Sequence, residues 1–216
     1  QVKDEGTFTY IALNSLGEHG CITMSSEPTI NIKNYESWPS ESEWRTAMKY
    51  RTEIQDKIPG VYWKAIDVST DDGFYTLKEH LNKGNVGVFE FDMFENFKYT
   101  YPDENFEANS YDGVIYGNAG KRVTTAGLFG DDVSNAMAII GYDDNKEFRH
   151  KDNGKEQVSR GAFLAVNSWG SGFGVSVPES NGEKGYVWMS YFYFRHDRGS
   201  KLVYTFDARL NYEPHI

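Results

Sequence analysis

The chain has 216 residues, of which 39% are hydrophobic, 25% charged and 16% aromatic, with 21 Gly and only 6 Pro. That is the length of one generous domain or two small lobes, and the composition excludes a disordered or collagen-like polypeptide. A formal charge of −10 opposes phosphate backbones and anionic lipid headgroups, so neither nucleic acid nor a membrane is expected as a partner. The single cysteine, Cys21, permits no disulfide within the chain and excludes a disulfide-stapled scaffold.

The longest apolar runs, such as Ala136-Met137-Ala138-Ile139-Ile140, fall far short of the roughly 18 residues a membrane span needs. Residues Gln1 to Gly6 carry neither a basic nor an apolar leader region and read as a processed end.

In chain order, residues 7–19 place Phe8, Ile11, Ala12 and Leu16 at helical spacing, with Gly20 as a stop. Ser40 and Glu43 form a capping box ahead of Trp44, Ala47, Met48, Arg51 and Ile54, a helix expected to close at Pro59-Gly60. A third helix is predicted over 71–83, with Phe74, Leu77 and Leu81 on one face and Gly84 after it. Strands are predicted over 61–68, 86–92, 135–143, 161–168, 185–191 and 201–206, where β-branched and aromatic residues sit between turn residues. Segments 98–112, 117–134 and 144–160 are rich in Gly, Asn and Asp and read as surface loops. There is no internal repeat or linker.

The segment Gly161-Ala162-Phe163-Leu164-Ala165-Val166-Asn167-Ser168-Trp169-Gly170-Ser171-Gly172-Phe173-Gly174, with Gly185-Tyr186 after it, resembles the third catalytic segment of the papain-like cysteine peptidases, N-S-W-G-x-x-W/F-G followed by G-Y. Upstream, Asn135-Ala136-Met137-Ala138-Ile139-Ile140-Gly141-Tyr142 is similar to their second segment, H-A-x-x-I-x-G-Y. Tyr111-Asp112-Gly113-Val114-Ile115-Tyr116 is similar to the strand before it. The three motifs occur in the family's order, and the resemblance spans about residues 7–207, in a prokaryotic-type member. It implies an α+β papain-like two-lobe fold: the remainder of a helical left lobe over 1–60, and a right lobe over 61–216 built as an antiparallel, barrel-like sheet. The implied cleft between the lobes is lined by Asn135, Ala136, Asn167, Ser168 and Trp169.

Chemistry of this kind needs a thiolate at a helix N-terminus, an imidazole to take its proton, and an Asn to fix the imidazole's tautomer. Asn167 matches the orienting Asn, and Trp169 the indole that covers the Asn–His contact. The position of the His is Asn135, whose carboxamide accepts no proton at neutral pH. Loss of the base from such a triad costs on the order of 10⁶ in turnover. No C-G-S-C-W segment precedes the first helix, and Cys21 follows a helix rather than opening one, so it is expected to be a buried or half-buried structural thiol. His19, His80, His150, His196 and His215 lie outside the motif and read as surface or structural.

Other constellations have plain readings. Asp143-Asp144-Asn145-Lys146-Glu147 lacks the central Gly and terminal Glu spacing of a calcium loop, and is expected to be a solvated hairpin end. Glu90 and Asp92 alternate with Phe89 and Phe91 as on a charged strand face rather than as a glycosidase pair. No phosphate loop or zinc spacing occurs, so no cofactor or metal is expected.

The leading expectation is a pseudopeptidase that binds a peptide or protein segment in the old cleft. A separate N-terminal fragment carrying the central helix would complete the fold and cover apolar surface. A second reading is the larger piece of an active cysteine endopeptidase whose nucleophile lies on that fragment. A third is an extracellular carbohydrate-binding or adhesion module using exposed Tyr and Trp. A bacterial, extracellular or cell-surface origin is expected from the resemblance to disulfide-poor prokaryotic members and from the absence of Asn-x-Ser/Thr sequons.

Overall fold

The computed structural model describes residues 7–22, 39–52, 58–92, 114–115, 134–152, 155–168, 174, 181–196 and 201–206. The chain divides into two compact units, Gln1–Lys64 with Tyr204–Ile216, and Ala65–Val203.

The first unit contains helix α1 (Thr9–His19) and helix α2 (Glu41–Ala47). α1 ends where predicted, at Gly20, whose φ of 79° suits glycine. Its buried stripe is not the apolar one expected. Thr9, Leu13 and Gly17 face inward, whereas Phe8 and Ile11 are 61% and 47% exposed. Close approach explains the choice: a side chain at Gly17 would overlap the Tyr62 ring, so the helix packs on its smallest residue. α2 has the capping box read from sequence, with the Ser40 hydroxyl accepting from the Glu43 N–H at 3.4 Å and the Ser40 N–H donating to the Glu43 carboxylate at 2.5 Å. The helix is shorter than expected, because Met48–Tyr50 tighten into a 3₁₀ turn and Arg51 is extended. Ile54 lies outside the described residues.

Among the described residues, the second unit is built on a seven-stranded sheet, whose strands β1 and β7 cross the unit boundary. The strands are β1 (Lys64–Asp67), β2 (Gly87–Asp92), β3 (Val114–Ile115), β4 (Ser134–Asp152), β5 (Lys155–Val166), β6 (Tyr186–Ser190) and β7 (Leu202–Thr205), in the order β1-β7-β2-β4-β5-β6-β3. The pairs β2/β4, β4/β5 and β5/β6 are antiparallel, as expected. Two features correct the sequence reading: β3 runs parallel to β6, and the sheet is open rather than closed into a barrel, with β1 and β3 at its edges.

Helix α3 (Asp71–Asn82) is capped by Thr70, whose hydroxyl accepts from the Gly73 N–H at 3.1 Å, and it buries Phe74, Leu77 and Leu81 as its spacing predicts. These side chains join Phe89, Ile139, Phe163, Met189, Phe194 and Val203 in one core. Aromatic rings carry much of it, with Phe163 edge-on to Phe194 at 5.2 Å and Phe74 edge-on to Tyr191 at 4.7 Å, geometry that suits the ring quadrupoles.

Two segments differ from expectation by more than their ends. Residues 144–152 and 155–160, read as part of a loop, are strand: Glu147 pairs with Arg160 and the ladder continues to Asp152 opposite Lys155. Only Asn153 and Gly154 lie between them, the dipeptide that favours two-residue hairpins. The Asp-rich stretch is therefore not the hairpin's end. It falls at a register irregularity within the strand, between Asp143 and Glu147. Tyr191, read as the last residue of the strand over 185–191, instead opens helix α4 (Tyr191–His196).

Candidate functional site

Register brings the two motif asparagines to one end of the sheet. Phe91 of β2 pairs with Asn135 near the start of β4, and Ala138 of β4 pairs with Val166, the last residue of β5. Asn167 follows immediately, anchored by its N–H donating to the Gly185 carbonyl at 3.2 Å just before β6. Asn135 shares its strand face with Met137 and Ile139, both buried. The outcome is a contact between side chains 32 residues apart: Asn135 Nδ2 donates to Asn167 Oδ1 at 3.5 Å.

The hydrogen bonds fix which way each amide points. The Ala136 N–H donates to Asn135 Oδ1 at 2.9 Å, so exchanging the Asn135 oxygen and nitrogen would set two donors against each other. With Asn135 Nδ2 thereby directed at Asn167 Oδ1, the Asn167 Nδ2 is turned away. Asn167 is only 6% exposed, and that nitrogen is buried with no hydrogen-bond partner. Leaving such a donor unsatisfied costs about 1–3 kcal/mol.

Of the other residues read from sequence, Ala136 and Ser168 are exposed beside the pair, and Trp169 lies outside the described residues. Cys21 is exposed, not buried or half-buried as expected, because it sits past the end of α1, beyond Gly20. It belongs to the first unit and the amide pair to the second. His80 is held within α3, its Nε2 at 3.1 Å from the Val86 carbonyl. Among the described residues no group of three or more His, Cys, Asp or Glu side chains is arranged to hold a metal, and no helix is long and apolar enough to cross a membrane. Two carboxamides at the sheet end can orient and donate hydrogen bonds. They supply no group that takes up a proton at neutral pH.

A second polar cluster was not legible in the sequence. Lys78 Nζ of α3 donates to both carboxylate oxygens of Asp144, at 2.7 and 2.8 Å, and the Tyr191 hydroxyl donates to the same carboxylate at 2.7 Å. The ammonium stands 4.5 Å from the centre of the Tyr142 ring and 5.5 Å from that of Phe74. The hydrogen bond from Lys78 holds the Asp144 carboxyl below the usual range, while burial and then the hydrogen bond to Asp144 push the Tyr191 phenol far above its own. The available signal was Asp144 itself, within a run of acidic residues.

Helices with a largely antiparallel sheet give the fold of the papain-like cysteine proteases. Among solved structures, the chain is similar to xylellain, a cysteine protease from Xylella fastidiosa, with a TM-score of 0.51 and 17% identity over 95% of this chain. It spans 63% of the xylellain chain. The cysteine protease and lectin-like domains of Cwp84, a surface layer associated protein of Clostridium difficile, match 96% of this chain and 37% of their own at 15% identity, with a TM-score of 0.48. No family model matches the sequence, and no curated protein matches it.

Proposed function

We propose that the protein is a papain-fold pseudopeptidase, which binds an extended peptide or protein segment at the surface around Asn135, Ala136, Asn167 and Ser168 without cleaving it. The observation that carries this reading is the Asn135–Asn167 contact at 3.5 Å. It sets a carboxamide where the resemblance calls for the general base, against the residue that would orient that base. Main-chain hydrogen bonding to an extended segment needs no proton transfer and survives the substitution. The exposed Cys21 lies past the C-terminal end of α1, whereas the nucleophile of the resembled family opens a helix. The test is hydrolysis of a mixed peptide substrate, with and without a thiol-directed epoxide. Binding without hydrolysis is expected, and hydrolysis blocked by the epoxide would refute the proposal.

The same reading includes a further polypeptide segment, carrying a central helix, that docks on the first unit. Support comes from the exposed Phe8 just ahead of α1, from Tyr10 and Ile11 within it, and from buried polar atoms in that unit with no hydrogen-bond partner, Asn14 Oδ1 and Trp63 Nε1. Denaturing intact-mass spectrometry of the natively purified sample is the check, with a co-purifying polypeptide of several kilodaltons expected. If that segment bears an activated thiol, the protein is instead the larger part of a cysteine endopeptidase, and hydrolysis would appear only in the complex. The setting proposed for this function is extracellular or at a bacterial cell surface.

A further inference from the structure

One carboxylate takes no part in the amide pair yet stands beside it. Phe89 and Phe91 of β2 are buried in the core, at 0% and 4% exposed, so Glu90 between them turns to the other face of the sheet. There it is half-buried, and its direct partner across β2 and β4 is Ala136, which is exposed. Directly opposed side chains of an antiparallel pair lie about 4.5–5.5 Å apart at Cβ. On one side along the same face, Val88 opposes Ala138, both apolar and half-buried. On the other, the next rung of the ladder pairs Phe91 with Asn135, the residue of the amide contact. A carboxylate is therefore set against the residue that directly follows Asn135, on the face where that residue meets solvent.

The surroundings of Glu90 favour a cation. A Lys or Arg side chain can lay its apolar stem over Ala136 and Val88 while its head reaches the carboxylate. Partial burial makes such a contact worth more than it is in open water, and an acidic side chain in the same place is repelled. The formal charge of −10 adds a long-range attraction for basic segments.

From this we infer that Glu90 determines specificity at the peptide-binding surface around Asn135 and Ala136, selecting an extended segment that carries a Lys or Arg side chain where it crosses β4. The inference rests on the peptide-binding reading and names the class of peptide. Glu90 acts on the bound side chain by charge and position.

The test is fluorescence anisotropy of the natural protein with labelled alanine-based peptides, blocked at both ends, that differ at one central position: Lys, Arg, norleucine or Glu. Norleucine keeps the apolar stem of Lys without its charge. The Lys and Arg peptides are expected to bind about tenfold more tightly than the norleucine peptide, and the Glu peptide most weakly. Glu90→Gln is expected to bring the Lys and norleucine peptides level. Glu79→Gln makes the same charge change at an exposed position of α3, the helix that covers the core face of the sheet, and is expected to leave the preference intact. A second measurement uses the natural sequence alone: a carbodiimide joins the amine of the bound Lys peptide to a carboxylate in contact with it, and mass spectrometry is expected to find that crosslink at Glu90. Equal binding of the Lys and norleucine peptides, a preference that survives Glu90→Gln, or crosslinks confined to other carboxylates would overturn this inference and leave peptide binding standing. No binding of any peptide would overturn both. The crosslink on the natural sequence decides the matter even if the Gln variant does not fold.

Discussion

Asn135 and Lys78 show how differently two polar side chains act on one strand system. Asn135 contributes no titratable group, so replacing it alone does not restore a dyad. Asn135→His in the purified chain is expected to leave peptide hydrolysis at background, because no activated thiol accompanies it. Hydrolysis above background in that variant, measured with a fluorogenic peptide mixture, would show that a nucleophile is already in place. Lys78 is a structural cation. Its side chain is 13% exposed and its partner Asp144 54% exposed, so the pair is screened on one side only. Lys78→Met keeps the packing of the stem and removes the charge, and should cost about 1–2 kcal/mol in urea unfolding, less than a wholly buried pair would. The pH dependence follows from the lowered Asp144 carboxyl. Its stabilisation is complete above the ordinary carboxylate range, near pH 4, and is lost as pH falls through the lower folded value. The stability of Asp144→Asn should therefore fall less steeply on acidification than that of the natural sequence; parallel curves would contradict the assignment.

Among the elements, one core side chain of β5 serves several partners. Phe163 of β5 contacts Phe74 at 5.5 Å, Tyr191 at 4.8 Å and Phe194 at 5.2 Å and is wholly buried. Phe163→Ala is expected to cost about 3–5 kcal/mol, checked by denaturant unfolding. Gly161 two residues earlier has a φ of 88° and lies against the Tyr191 ring. Gly161→Ala meets both backbone strain and overlap, and should lower stability by about 1–3 kcal/mol in the same assay. What the sequence disclosed at this scale depended on whether local pattern and tertiary packing agreed. α3 was legible because its cap, its apolar spacing and its burial coincide. α4 was not, since Tyr191-Phe192-Tyr193-Phe194 looks like a strand by propensity. Its signal was Ser190, whose hydroxyl accepts from the Tyr193 N–H at 3.2 Å. The β4–β5 extension was hidden by charge, the Asn153-Gly154 dipeptide in the sequence between the two strands outweighed by polar composition. α1 was right as a helix and wrong as a face, because the demand of Tyr62 for a glycine at its edge is a long-range constraint that no periodicity carries.

For the molecule as a whole, motif order conveyed the fold and the pairing of Asn135 with Asn167. Spacing alone would not have joined residues that meet only through the register of β4 on β5. The orientation of the amides was beyond sequence altogether, since it depends on one backbone N–H at Ala136. The function proposed for this fold is to hold peptide without cutting it. Its most direct test is to incubate the natively purified protein with a defined pool of extended peptides, separate bound from free by size exclusion, and weigh both fractions by mass spectrometry. Intact peptides are expected in the protein fraction and no cleavage products in either. Products in the free fraction, or a protein fraction carrying no peptide, would contradict it.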